Sequence, residues 1–227
     1  MPKISVIIPA LNEEKYIKYP LEGLQKQSFR DFEIIVVDGE STDRTAAIAR
    51  KYAKVITKKS GISLARNIGA KAAKGKLLVF LDADTKPSRY LLESYNRAFD
   101  GDIIAATGPI LPLEKSKLGI SLGYKFVSKI FVRFTILIGM PSIVGSNFAI
   151  DKRIFDKVHG FNEKLETYED WDLSERIRRY GKIKYVFGAL VYASTRRVVA
   201  WGVSGYFMYH VSNMIRYHLF KKPKDAY

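Results

Sequence analysis

Four short apolar runs in the first 81 residues, each followed by a segment with helical patterning, constrain the fold of this chain more than any other feature. They fall at residues 4–8, 32–37, 55–57 and 76–81. Each is too short for a buried helix and rich in Val, Ile and Leu, as expected of strands covered on both faces. The intervening segments read as helices over 13–27, 42–52 and 62–73. Asn12 and Ser41 are the candidate N-caps of the first two, and Pro20 should kink or restart the first. Repeated βα units of this length imply an α/β fold with a doubly wound, mostly parallel, Rossmann-like sheet. The second half is less regular, with strands expected at 103–107 and 144–150 and a helix at 168–180. No repeat or linker interrupts the 227 residues, and one continuous domain is the simplest organisation.

The fourth run carries the first chemical signal. Leu77-Leu78-Val79-Phe80-Leu81 leads straight into Asp82-Ala83-Asp84. Open α/β sheets bind ligands at the carboxyl ends of their strands. If the chain stays extended there, Asp82 and Asp84 point the same way, about 7 Å apart at Cα. A hard divalent cation bridging a diphosphate would account for acids in that place.

Charge is distributed unevenly. Residues 115–150 hold five basic and no acidic side chains, and residues 176–227 hold eleven basic and one acidic, which together account for the whole net charge of +15. An anionic partner facing the second half follows from that segregation. The absence of cysteine excludes disulfides and thiolate metal sites and fits a cytoplasmic setting. The N-terminus runs into the first strand without a basic, apolar and cleavable leader pattern.

Four motifs stand in order at the ends of the expected strands or on the helix after the third: Pro9-Ala10-Leu11-Asn12-Glu13, Asp38-Gly39-Glu40-Ser41-Thr42-Asp43-Arg44-Thr45, Ala65-Arg66-Asn67-Ile68-Gly69 and Asp82-Ala83-Asp84. With these in view, the chain resembles a small, non-processive family 2 glycosyltransferase of the GT-A fold, over roughly residues 3–175. The resemblance implies a nucleotide-sugar-binding half at 1–100, an acceptor half at 101–195 and a basic amphipathic extension at 196–227. It implies that the backbone near Pro9 and the Glu13 side chain hold the nucleoside. Asp38 would accept a hydrogen bond from a base N–H, which suits a uracil or guanine edge. Arg66 would lie against the base or diphosphate, Asp82 would contact the ribose, and Asp84 would ligate Mn2+ or Mg2+.

The second half continues the likeness. Gly145-Ser146-Asn147 and Gly160-Phe161-Asn162-Glu163 resemble the segment that lines the donor sugar, and His159 stands where many relatives carry glycine and reads as a packing variant. Glu169-Asp170-Trp171-Asp172-Leu173 resembles the family's ED-x-DL pattern at a helix start, where the helix dipole alone favours carboxylates. By resemblance Asp170 is the general base of an inverting transfer, taking the proton of an acceptor hydroxyl. Trp171 would stack on an acceptor sugar or join the core. Polymerising relatives carry a late Gln-x-x-Arg-Trp segment and several membrane spans; this chain has Ser194-Thr195-Arg196-Arg197 there, which implies transfer of a single sugar. Paired arginines suit phosphate oxygens.

Two segments read as basic amphipathic helices. In 118–138, Lys125, Lys129 and Arg133 share one side, and near the C-terminus Phe207, Val211, Met214, Ile215 and Leu219 share a face. Neither is long and apolar enough to span a bilayer, so each either packs on the sheet or makes peripheral contact with the cytoplasmic face of an anionic membrane. A lipid-linked acceptor such as a polyprenyl phosphate or diphosphate glycan would fit the second case. Two other readings compete: a membrane-surface or nucleic-acid binding module without catalysis, and a sugar-phosphate nucleotidyltransferase. The first is opposed by four acids with no other reason to converge and by the lack of a nucleic-acid motif. The second would need a glycine-rich basic loop where this chain has Pro-Ala-Leu-Asn-Glu-Glu.

Overall fold

A computed structural model of the chain describes residues 1–114, 132, 143–165, 167–202, 205, 208 and 212. In order, the elements are β1 Ile4–Ala10, α1 Lys18–Gln25, β2 Phe32–Asp38, α2 Thr45–Ala49, β3 Lys54–Thr57, α3 Ile62–Ala72, β4 Leu77–Leu81, β5 Thr85–Pro87, α4 Leu91–Ala98, β6 Ile103–Thr107, β7 Ile110–Pro112, β8 Asn147–Asp151, α5 Lys152–Lys157, α6 Glu169–Ile177, β9 Lys182–Tyr185 and β10 Val191–Ala193. Seven strands form one sheet in the order β3-β2-β1-β4-β8-β6-β9. Only β8 runs against its neighbours, pairing antiparallel with both β4 and β6. The sheet is therefore mostly parallel and covered on both faces, as the apolar runs predict.

The period of two along each strand divides the core between the faces. Ile4, Val6, Ile8, Val36, Val79 and Leu81 join α1 and α4 residues such as Leu21, Leu24, Leu92 and Tyr95 on one side. Ile7, Ile35, Val37, Leu78 and Phe80 face α3, α5 and α6 on the other. Phe80 stacks on Phe148 at 4.8 Å and meets Phe161 edge-on at 5.4 Å. That aromatic cluster lies beneath the segment carrying Gly160-Phe161 and fixes its height over the sheet.

The strand order sets where a ligand can sit. From β1 the chain winds outward through β2 and β3, then crosses back to place β4 on the other side of β1. The switch point lies between β1 and β4, where a crevice opens at the carboxyl ends. Pairing of β1 with β4 stops at Ile7 opposite Phe80, two residues before Pro9. The missing N–H of Pro9 thus removes no bond on the β4 side.

Several local expectations change. Helix α1 begins at Lys18, not residue 13, and Asn12 has φ 53°, which is no N-cap conformation. Its Oδ1 instead accepts from the Thr42 N–H at 2.9 Å, tying the end of β1 to the loop after β2. Pro20 sits in the first turn of α1, where its missing donor is tolerated, so it starts the helix and does not bend it. Helix α2 is only Thr45–Ala49, because Asp43, not Ser41, accepts the Thr45 N–H and hydroxyl. The extended reading of Asp82-Ala83-Asp84 also fails: β4 ends at Leu81, and Thr85 donates from its N–H and hydroxyl to the Asp82 carbonyl, closing a turn. His159 is exposed at φ 61° and ends α5 in the left-handed region that glycine would occupy, so it is a chain-reversing residue and not a packed one.

The amphipathic segment at 118–138 and the C-terminal one lie outside the described residues, apart from Val132, Met208 and Ser212. Among the described residues no helix is long and apolar enough to cross a membrane.

Candidate active site

Helix α3 delivers the central side chain. Gly69 lets it press onto the sheet: a methyl there would lie 2.4 Å from Ile7 Cγ2. One turn earlier, Arg66 is buried and reaches over the carboxyl end of β4. Its Nη1 donates to Glu169 Oε1 at 2.5 Å, and its Nη2 to Asp82 Oδ1 at 2.9 Å and the Gly145 carbonyl at 3.1 Å. The guanidinium also lies 5.3 Å from the Phe161 ring centroid. Neighbouring Asn67 holds Phe161 in place, accepting from its N–H and donating to its carbonyl, both at 2.9 Å. One turn of α3 therefore ties the strand-end acid to the α6 acids.

Asp170, at the start of α6, is half-buried. Its Oδ2 accepts from the Gly145 N–H at 2.8 Å and its Oδ1 from the Trp171 N–H at 2.7 Å. Burial raises the Asp170 carboxyl, against the pull of those bonds and of Arg66. Glu169 is likewise raised by burial and by Asp170, with Arg66 opposing. A carboxylate raised toward neutrality and still able to accept a further hydrogen bond has the properties of a general base. Gly145 joins Arg66 to Asp170, since a methyl on it would stand 3.1 Å from Arg66 Nη2 and 3.3 Å from Asp170 Oδ2.

A second basic residue enters from the chain after β10. Arg196 Nη1 donates to Glu13 Oε2 at 2.8 Å, and its Nη2 bonds Glu13 Oε1 and lies 3.1 Å from Asp84 Oδ2. It also stacks 4.5 Å from the Tyr16 ring. Asp84 is pushed up to about 6 by burial and then by Asp82 and Glu13, while Arg196 and Arg197 oppose. Added positive charge would relieve that crowding of carboxylates. Among the described residues no group of three His, Cys, Asp or Glu side chains converges to hold a metal unaided. Mg2+ and similar ions need no such cage when substrate phosphates complete the shell, so a single strand-end carboxylate fits.

Asp38 ends β2 one strand away from β1. Its Oδ2 accepts from the Ser41 N–H at 3.2 Å, and its buried Oδ1 has no partner among the described residues. An unsatisfied buried acceptor at a strand end is an opening for a ligand donor.

The structure brings together Pro9, Glu13, Asp82, Asp84 and Arg196 around the switch point, and joins Asp82 to Asp170 through Arg66. It divides the arginine pair by contact: Arg196 bridges Glu13, whereas Arg197 is exposed and acts on Asp84 through its charge. Asn147 lies in the core, bonded to Tyr95 Oη at 2.7 Å and the Ala189 carbonyl at 2.8 Å, where its side chain serves packing. Glu169 faces Arg66, and Trp171 is half-buried beside Asp170. Sequence reasoning missed Tyr16 and the locking role of Asn67; only Asn67 carried a signal, inside the Ala-Arg-Asn motif.

The mostly parallel GT-A sheet and the acids at its switch point define the class of protein. The chain belongs to glycosyl transferase family 2, whose model matches residues 5–159. It is similar to the poly(ribitol-phosphate) β-N-acetylglucosaminyltransferase TarS of Staphylococcus aureus, 40% identical over 94 residues, covering 37% of this chain and 16% of that protein. It is 30% identical over 206 residues to the probable glycosyltransferase YdaM of Bacillus subtilis, covering 80% of this chain and 48% of that one. The structure of TarS 1–349 in complex with UDP-GlcNAc superposes with a TM-score of 0.68 at 25% identity, over 85% of this chain and 58% of that one. The mannosyltransferase PcManGT of Pyrobaculum calidifontis, in complex with GDP-Man and Mn2+, shares the fold with a TM-score of 0.68 at 18% identity, over 93% and 64%. In each case the chain spans less than two thirds of its relative's length.

Proposed function

We propose that this chain moves one sugar, with inversion, from a nucleoside diphosphate sugar to an acceptor hydroxyl, the donor carrying uridine ahead of guanosine. The observation that carries the reading is the single hydrogen-bonded line from Asp82 at the switch point, through Arg66, to Gly145 and Asp170. Donor-side and acceptor-side acids are thereby held in one fixed frame. Asp170 takes the hydroxyl proton as that oxygen attacks the anomeric carbon and the diphosphate leaves from the opposite side. Asp84, together with diphosphate oxygens, would hold Mn2+ or Mg2+, which neutralises charge on the leaving group. Arg196 adds a guanidinium on the same side. UDP-GlcNAc in TarS and GDP-Man with Mn2+ in PcManGT support the donor class.

For the acceptor, we propose a lipid-linked glycan met at an anionic membrane surface. The basic second half supports this, as do exposed Val199 and Trp201 on the helical stretch 196–202 that begins with Arg196-Arg197.

The nucleoside part is tested at Asp38. Uracil N3–H and guanine N1–H can donate to Oδ1, whereas the adenine and cytosine rings offer no such N–H. Asp38→Asn keeps an oxygen for Ser41 and turns an amide donor toward the base. Calorimetric titration should show UDP or GDP affinity falling by about ten- to a hundredfold, the range of a hydrogen bond to a charged group. ADP and CDP should be unaffected. Unchanged UDP and GDP affinity in Asp38→Asn would remove Asp38 from the base site.

A further inference from the structure

We propose that Glu114 is a positioning residue for the donor diphosphate, holding the Arg196 guanidinium over Asp84 and Glu13. The inference rests on the donor reading above.

Glu114 follows β7 and meets the chain after β10. Strands β7 and β10 pair in parallel, and the Leu113 N–H extends the pairing to the Ala193 carbonyl at 2.8 Å. The Glu114 carboxylate then accepts three bonds. Ser194 Oγ donates to Oε1 at 2.9 Å, and Thr195 donates to Oε2 from its N–H at 2.9 Å and from its hydroxyl at 3.2 Å. Ser194 and Thr195 are only 8% and 4% exposed. Water cannot replace the carboxylate freely at these donors, so losing it leaves buried groups unsatisfied. The same bonds hold the carboxyl of Glu114 below its ordinary value.

These two residues begin the helical stretch 196–202. Ser194 Oγ accepts from the Arg196 N–H at 3.3 Å, and the Thr195 carbonyl accepts from the Val199 N–H at 2.9 Å. Glu114 therefore caps this helix from 80 residues away in sequence, with its negative charge at the end the helix dipole favours. On the opposite side the Ser194 N–H donates to the Asp84 carbonyl at 3.1 Å. The turn before Arg196 is thus pinned between Glu114 and the strand-end acid. Arg196, one residue on, has little freedom except to present its guanidinium to Glu13 and Asp84. A diphosphate arriving with a divalent cation at Asp84 meets that guanidinium already in place, without the cost of ordering it.

The test is a binding cycle with Mg2+ and two probes, UDP and uridine. Glu114→Gln should weaken UDP by about tenfold, comparable to losing one charge-assisted bond, and leave uridine unchanged. Ser194→Ala, which removes a donor to Glu114 without touching the carboxylate, should shift UDP in the same direction. Arg196→Gln should cost at least as much, and adding Glu114→Gln to it should cost nothing further. A merely structural role would weaken UDP and uridine alike, or add to Arg196→Gln, and either outcome overturns the proposal. So does unchanged UDP affinity in Glu114→Gln. Wild-type protein that binds neither UDP nor GDP overturns the donor reading itself, and this inference with it.

Discussion

Asp170→Asn is expected to lower turnover with a hydroxyl acceptor by about 10²–10⁴-fold, the usual contribution of a positioned general base, while donor KM stays within about twofold. The reason lies in its two bonds. The Gly145 and Trp171 N–H groups hold both carboxylate oxygens in a fixed orientation, so the remaining lone pairs face a defined direction. Asparagine retains the volume but not the basicity. The wild-type pH profile should carry the same signature. Burial raises the Asp170 carboxyl, so the base is protonated and idle at low pH, and activity rises with pH through an apparent value above the ordinary 3.8. Because Glu169 and Asp170 adjoin and are both raised, that limb belongs to the pair. In Asp170→Asn the limb should vanish. A phosphate acceptor is anionic already and needs no base, so the loss should be confined to hydroxyl acceptors. Equal loss with both kinds would mean that Asp170 acts on structure and not on the proton.

Arg66→Met is expected to have the largest effect on stability, about 3–5 kcal/mol, because it removes one partner of a buried ion pair and strands the other. Arg66 is 1% exposed and Glu169 7%, and the Arg66 Nη1 donates directly to Glu169 Oε1 at 2.5 Å. Methionine fills much of the volume, so the cost is chiefly electrostatic. Without Arg66, Glu169 must take up a proton to remain buried. A carboxyl raised in the folded state gives stability that is present below its unfolded value and lost as pH rises through the folded one. The destabilisation of Arg66→Met should therefore be least in acid and grow toward alkaline pH. Urea melts at several pH values measure this, and Arg66→Met with Glu169→Leu should recover much of the loss. If the single variant is as stable as wild type at all pH values, the buried pair is not what holds α3 to α6.

The sheet was legible because strands buried on both faces read as unbroken apolar runs, and β1, β2, β4 and β6 fall where such runs stand, while β3 is a short, only partly buried edge strand. What was lost was lost to the site. Residues 13–16 look helical, but the Glu13 N–H goes to Thr45 and its carboxylate to Arg196, so tertiary bonds override propensity there. Asn147 matched a motif by spacing, yet side-chain direction decides its role, and spacing carries no direction. Strands β5, β7 and β10 have three residues each, too few for a period, and β10 pairs with β7 and β5 across about 80 and about 105 positions. Glu114 and Arg196 could not be joined on paper for the same reason. Asp38, Asp82, Asp84 and Asp170 could be picked out as candidates because each stands close to a strand end or helix start, where a parallel sheet collects its chemistry. Arg66, inside α3, was picked out only by the Ala-Arg-Asn motif that carries it.

The measurement that bears most directly on the proposed donor site is thermal unfolding with UDP, GDP, ADP and CDP, each with and without Mn2+, repeated on Asp84→Ala. At a hundred times its dissociation constant a nucleotide adds about 2.7 kcal/mol, a rise of roughly 5–10 °C for a chain of this size. UDP or GDP should raise the midpoint in a manner that requires both Mn2+ and Asp84. No shift with any nucleotide, or a shift indifferent to Mn2+ and to Asp84, would contradict a donor site at the β1–β4 switch point.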